Sequence, residues 1–221
     1  MNTPAKFHRI DLDQWPRKEY FEYYFHKIKC KYTLNANIDI TQLMAERKKR
    51  NLKFYPTFMY TIMRAINRNQ EFRMSFEDGI LGYWDYLVPS YTIFHEDDHT
   101  FSDVWSEYHE SFALFYDTIC NDIDKYKDVK GIKARKDRVA NFCSISSVPW
   151  LSFTSFSQDT YSESDLLFPL IRYGKFFEEN GKILLSFAIF VNHAVADGYH
   201  TSKLINEIQA LAEDPKSWMD T

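Results

Sequence analysis

Two residues stand out by type, spacing and position: His193 and, four residues later, Asp197. They sit in the stretch Ile183–His200, ILLSFAIFVNHAVADGYH, whose first part is apolar and too short to cross a membrane. That part reads as a buried strand. The strand delivers Asn192 and His193 into a turn made of Ala194, Val195, Ala196, Asp197 and Gly198. An imidazole at the mouth of a buried strand is rigidly held and only partly desolvated, which suits a base working near neutral pH. Gly198 allows a sharp or positive-φ turn just after the carboxylate. The chemistry such a pair offers is proton abstraction; the ordinary alternative is a histidine satisfied by hydrogen bonds near a sheet edge.

A second cluster, His95-Glu96-Asp97-Asp98-His99, has a His-x-x-x-His spacing that could hold a divalent metal on a helix. The preceding Tyr91-Thr92-Ile93-Phe94 is strand-like, so the cluster reads as an acidic surface turn and no metal is expected. There is no GxSxG elbow, P-loop or Rossmann glycine pattern. Any nucleotide must therefore be held by scattered contacts.

The elements that must position these residues follow from periodicity. Phe7, Ile10 and Leu12 suggest a short first strand, and Pro16 opens a helix to about Ile28 with Glu19 and Glu22 in its early turns. Cys30 to Ile40 alternates apolar and polar, the period of a half-buried strand. Thr41 caps a helix that runs into Arg47-Lys48-Lys49-Arg50, a solvated basic end favoured by the helix dipole. Pro56 opens another helix with Phe58, Ile62, Ala65 and Ile66 as its buried stripe. Glu77-Asp78-Gly79 makes a tight turn between strands, and Ser90–Phe94 is a further strand. Trp105 to Tyr126 is the longest helical pattern, Lys127 to Arg138 a charged loop, and Phe142 to Ser147 a strand. Asn180-Gly181 joins a strand over Ile171–Phe177 to the one carrying His193. Thr201–Leu211 closes the pattern as a helix.

With 221 residues the chain is long enough for one domain with a substantial core, and 45% hydrophobic and 18% aromatic content place it in the globular class. We read residues 1–221 as a single α/β domain, a mixed sheet covered by helices. A formal charge of −4 gives no reason to expect nucleic acid or an anionic membrane as partner. Cys30, Cys120 and Cys143 are odd in number and lack CxxC spacing, which favours reduced thiols in the cytoplasm over disulfides or zinc. The first residues, MNTPAKFHRIDLDQW, contain no apolar core of a signal peptide, so none is expected.

The spacing His193-x-x-x-Asp197-Gly198 resembles the HxxxDG motif of coenzyme A-dependent acyltransferases. The longer NHAVADGYH is similar to the active-site segment of chloramphenicol acetyltransferases, which usually read HHAVCDGFH; here Asn192 replaces a His and Ala196 a Cys. The resemblance extends from Trp15 to the last helix. It implies a two-layer sandwich (α+β), a homotrimer with sites between subunits, and acetyl-CoA as co-substrate. It implies His193 as general base, its other ring nitrogen held by its own backbone carbonyl. Ser146, in Ser146-Ser147-Val148-Pro149-Trp150, matches the serine that donates to the oxyanion. Arg17, in Trp15-Pro16-Arg17-Lys18-Glu19-Tyr20-Phe21, matches the arginine that pairs with Asp197 and locks the turn, so Asp197 supports the site and is no triad member.

Lys53, Tyr55, Trp150 and Lys175 resemble coenzyme contacts, and Tyr24 and Phe101 resemble acceptor-pocket aromatics. Four positions depart from the drug-acetylating pattern: Asp103 replaces a small residue, Gln158 and Thr160 replace aliphatic ones, and Arg172 replaces a threonine near an active-site water. Buried polar groups cost free energy unless paired, so this pocket is expected to be more polar than one built for chloramphenicol. The expected function is acetylation of chloramphenicol in a ternary complex, giving antibiotic resistance. The alternatives are the same transfer to a more polar hydroxyl acceptor, or a non-catalytic protein that binds a small aromatic ligand. Lipoamide acyltransferase cores share the motif, but this chain has no room for their lipoyl domain.

Overall fold

A computed structural model describes residues 4–137, 139–158 and 164–220; Thr160 lies outside them. The chain begins with β1 (Phe7–Arg9) and α1 (Lys18–Glu22), which widens without a break into a π-helical stretch, Tyr23–Ile28, ended by Lys29 at φ 53°. Then come β2 (Lys31–Asp39), α2 (Thr41–Lys49) and α3 (Phe54–Arg68). A 3-10 turn at Gln70–Arg73 leads to β3 (Met74–Glu77), β4 (Ile80–Trp84), β5 (Val88–His95), β6 (Thr100–Trp105) and α4 (Phe112–Tyr126). The last part holds β7 (Phe142–Val148), β8 (Leu170–Glu179), β9 (Lys182–Asn192), α5 (Gly198–Glu213) and α6 (Lys216–Met219).

Six strands form a mixed sheet in the order β2-β9-β8-β7-β5-β6, with β7 parallel to both neighbours and the other pairs antiparallel. A small antiparallel sheet, β1-β4-β3, stands apart. The continuous apolar run of β9 reflects cover on both faces. Leu185, Phe187, Ile189 and Val191 join the main core with α3 and α5. Ala188 and Phe190, on the opposite face, pack with Leu170 beneath Phe153, Phe156 and Leu166. The helices thus cover one face of the sheet. Irregular chain covers part of the other and leaves the stretch around Ser146 open.

Several elements differ from the sequence reading, each for a tertiary reason. The helix expected from Trp105 starts only at Phe112, because Thr100–Trp105 is a strand paired with β5 from His95↔Thr100 to Ser90↔Trp105. Sheet pairing overrides a helical period here. Thr41 does not cap α2; Asp39 Oδ1 accepts both its backbone N–H (3.0 Å) and its hydroxyl (2.6 Å). The basic end of α2 is not merely solvated. Arg47 donates to the Leu52 carbonyl, while Arg50 reaches Glu46 and Asp220. The first helix starts at Lys18 and not at Pro16. His95 is buried and bonded through Nε2 to the Ser102 hydroxyl at 2.8 Å, while Lys130 ties down Asp97 and Asp98.

Candidate active site: two half-sites on one chain

His193 is the first residue past β9. Its backbone N–H donates to the Cys30 carbonyl at 3.0 Å, so the neighbouring β2 end anchors the exit from the strand. The turn is then held by Asn192, which the sequence offered only as a replacement. Its Oδ1 accepts the Ala194 N–H (3.1 Å), its Nδ2 donates to the Leu166 carbonyl (3.3 Å), and its own carbonyl accepts Val195 N–H (3.2 Å). This is an Asx turn, the local device by which a short amide side chain closes a bend. Ala194, Val195 and Ala196 are fully buried beneath it.

The imidazole lies flat on the Tyr24 ring, centroids 3.8 Å apart and planes 8° apart, with Tyr32 edge-on at 5.2 Å. Tyr24 reaches this position from the π-helical stretch, a local widening that recurs at functional sites. Nδ1 of His193 is buried and has no hydrogen-bond partner among the described residues, so the backbone-carbonyl partner implied by the resemblance is not made. Stacking sets the ring plane instead. Tyr32, which the sequence left as an ordinary strand residue, ties its hydroxyl to Thr201 Oγ1 (2.6 Å) and the Ala196 carbonyl (3.3 Å). Burial pushes its pKa up to about 12, so it stays a neutral hydrogen-bonding post.

Asp197 caps α5. Its Oδ1 accepts the backbone N–H groups of Tyr199 (3.0 Å) and His200 (3.4 Å) and the ring Nδ1–H of His200 (2.8 Å). Its Oδ2 accepts Arg17 Nη1 at 3.0 Å. Burial alone would raise this carboxyl, but the bonds from His200 and Arg17 outweigh it and hold the pKa at about 2. Asp197 makes no hydrogen bond to His193 among the described residues; it fixes the turn. Gly198 is not in the left-handed region. It opens α5 with free space where a Cβ would stand. The capping carboxylate, not glycine freedom, turns the chain.

The second half-site lies on the open face of the sheet. Thr92, Ser146 and Arg172 stand side by side on β5, β7 and β8, and Asp103 on β6 completes the row opposite Thr92. Thr92 Oγ1 and Ser146 Oγ are 3.1 Å apart. A cavity of about 640 Å³ sits on this row, walled by Phe94, Phe101, Pro149, Trp150 and Tyr55. Tyr55 donates to the Thr92 carbonyl at 3.2 Å, and burial pushes its phenol well above the ordinary value. Trp150 is 63% exposed at the rim and meets Phe94 edge-on at 4.7 Å. The segment carrying it passes close over β8 because position 174 is glycine: a Cβ there would stand 2.6 Å from the Leu151 carbonyl. Lys175 beside it donates its backbone N–H to that same carbonyl, and its side chain is exposed. Lys53 precedes α3, with its N–H bonded to the Tyr116 hydroxyl at 2.8 Å. Neither Lys53 nor Lys175 lines the cavity.

The structure therefore brings Ser146, Tyr55, Trp150, Phe101, Asp103 and Arg172 together, and separately His193, Tyr24, Arg17 and Asp197. Gln158 lines a third, smaller hollow of about 180 Å³ with Lys31, Tyr32 and Asn192, on the His193 side. The two groups do not meet within one chain. Ser146 pairs with Arg172, Arg172 with Ala188, and His193 lies five residues further along β9. With about 3.3 Å per residue and about 4.8 Å between strands, the two residues are on the order of 19 Å apart. A general base must come within hydrogen-bond reach of its substrate. Within one chain the two groups of candidate residues therefore lie beyond each other's reach.

Comparison with known proteins places the chain in one family. A family profile described as chloramphenicol acetyltransferase matches residues 5–209. A chloramphenicol acetyltransferase of Clostridium perfringens is 45% identical over 97% of this chain and 98% of its own. One of Staphylococcus aureus is 39% identical over 96% and 99%. A solved chloramphenicol acetyltransferase superposes with a TM-score of 0.83 at 23% identity, over 94% of this chain and all of that one. The dihydrolipoamide acetyltransferase of Azotobacter vinelandii shares the fold at a TM-score of 0.64 and 17% identity, over 86% of this chain and 84% of its own. With a family profile matched over nearly the whole chain and relatives at 45% and 39% identity, the chain belongs to the chloramphenicol acetyltransferase family.

Proposed function

We propose that the protein transfers the acetyl group of acetyl-CoA to a hydroxyl of chloramphenicol, conferring resistance to the antibiotic. We further propose that it does so as a homotrimer, with each site completed by two protomers. The observation carrying this reading is the pair of half-sites about 19 Å apart on one chain, each holding what the other lacks. In a closed ring, the His193 turn of one protomer faces the Ser146 cavity of the next.

The chemistry then follows from the groups on each side. Nε2 of His193 removes the proton of the acceptor hydroxyl as its oxygen attacks the thioester carbonyl. The tetrahedral intermediate then collapses with cleavage of the C–S bond, and the thiolate of coenzyme A leaves with the proton returned by the imidazolium. Ser146 donates to the oxygen on which charge develops, and Thr92 at 3.1 Å orients that hydroxyl. Trp150 and Tyr55 line the approach of the pantetheine arm, with Lys53 and Lys175 outside it for the phosphates. Tyr24 and Phe101 flank the acceptor, and Gln158 approaches it from the side of the His193 turn. Residues 1–221 act as one domain, in the cytoplasm where acetyl-CoA is available. No described helix is long and apolar enough to cross a membrane.

The test follows thiol release from acetyl-CoA with chloramphenicol, comparing wild type with His193→Ala. Turnover in the wild type and a fall of roughly 10²-fold or more in the variant are expected, as loss of a general base implies. Release with other alcohols but not with chloramphenicol would keep the mechanism and change the acceptor. Arg172 and Asp103 in the cavity favour that second reading. Binding of the drug without turnover would make the protein a sequestering one.

A further inference from the structure

Arg172 is the only cation among the described residues that line the cavity beside Ser146. It stands on β8 directly opposite Ser146, with its side chain laid back along the sheet. Nη1 donates to the Ile171 carbonyl at 2.8 Å and lies 3.4 Å from both the carbonyl and the hydroxyl of Ser144. All three partners are neutral, and neither Nε nor Nη2 makes a hydrogen bond among the described residues.

Asp103, the one acid among the described residues that line the cavity, does not neutralise it. Asp103 gives its carboxylate to Lys133 at 2.7 Å, where residues 132–134 run beside β6. Two strands separate Asp103 from Arg172, placing their backbones on the order of 14 Å apart. Burial draws the Arg172 guanidinium below its ordinary pKa, the sign of a cation that has lost water without gaining a full counter-charge. The aromatic walls formed by Phe94, Phe101 and Trp150 lower the local dielectric, which strengthens any charge brought to that spot. A planar guanidinium with open N–H groups matches two coplanar anionic oxygens.

We propose that Arg172 is a specificity residue that selects hydroxyl acceptors bearing a carboxylate, binding its two oxygens on the cavity floor next to Ser146. This rests on the reading of the cavity as the place where the coenzyme arm and the acceptor meet in an acetyl-transfer site. A nitro group has the shape of a carboxylate but no net charge. Chloramphenicol and its derivative with a carboxylate in the nitro position are therefore a matched pair.

The experiment measures kcat/KM for both acceptors with wild type, Arg172→Met and Arg172→Lys. The ratio of carboxylate to nitro acceptor should be about ten- to a hundredfold higher in wild type than in Arg172→Met, the scale of a charged hydrogen bond, with Arg172→Lys between them. Equal ratios in wild type and Arg172→Met overturn the assignment. So does a rise in the KM for acetyl-CoA with the acceptor ratio unchanged, which would hand Arg172 to the coenzyme. Chloramphenicol turnover with an unchanged ratio leaves the acetyltransferase reading intact, whereas turnover of neither acceptor defeats both. If Arg172→Met does not fold, wild type alone decides. It must bind the carboxylate acceptor about tenfold more tightly than chloramphenicol, and equal or weaker binding overturns the proposal.

Discussion

The His193 ring is oriented by an aromatic stack and a backbone turn, since its buried Nδ1 has no hydrogen-bond partner among the described residues. An aromatic pair is worth about 0.5–1.5 kcal/mol beyond its buried area. Tyr24→Leu should therefore lower kcat about two- to tenfold while leaving the KM for acetyl-CoA unchanged, measured by steady-state thiol release. A loss confined to KM would assign Tyr24 to substrate binding alone. Behind the ring, Asp197 has a folded pKa of about 2, below its ordinary value of 3.8. Its stabilising contribution is complete above the unfolded value and fades as pH falls from about 4 towards 2. Arg17→Ala weakens this hold, so its thermal midpoint should fall relative to wild type at neutral pH, and the gap should shrink as pH drops through that window. A gap that stays constant down to pH 2 would show that Arg17 acts on stability without its charge.

At the level of elements, two local rules decide where the half-sites stand. The widening of α1 into π-helical turns swings Tyr24 over His193, and the bare Cα of Gly174 lets the Leu151–Phe153 segment press onto β8. A methyl at 174 would stand 2.6 Å from the Leu151 carbonyl and 3.0 Å from the Phe153 ring. Gly174→Ala should destabilise the fold by about 1–3 kcal/mol, the usual cost of overpacking. It should also raise the KM for acetyl-CoA, because Trp150 rides on the displaced segment. Thermal denaturation and kinetics together check this; an unchanged KM would separate Trp150 from the coenzyme. The hairpin at Asn180-Gly181 and the buried stripe of α3 were legible because each is written in consecutive residues. The strand Thr100–Trp105 was not, since its only warrant is pairing with β5.

For the whole molecule the test is complementation. His193→Ala and Ser146→Ala are each expected to lose most activity, but mixed assemblies of the proposed trimer should contain sites with an intact histidine from one protomer and an intact serine from the next. With equal amounts mixed at random in a closed ring, about a quarter of the sites are whole. Co-refolding the two variants should restore activity to that order, whereas sites contained within single chains would restore none. Sedimentation or mass measurement of the wild type should give three chains.

The sequence by itself determined the turn around His193 and the core strand behind it, because a strand, its exit turn and a helix cap are set by residues within a few positions of each other. It also placed Ser146 on its strand, whereas Arg17, matched by similarity to other chains and read as helical, stands just before the helix that Lys18 opens. The pairing of Arg17 with Asp197 was implied by that same similarity, and the tertiary structure supplies its geometry, Nη1 to Oδ2 at 3.0 Å across 180 residues. It alone put Arg172 beside Ser146 without a counter-charge and kept His193 five residues further along and two strands away. Strand order is settled by long-range pairing, and no local pattern records it.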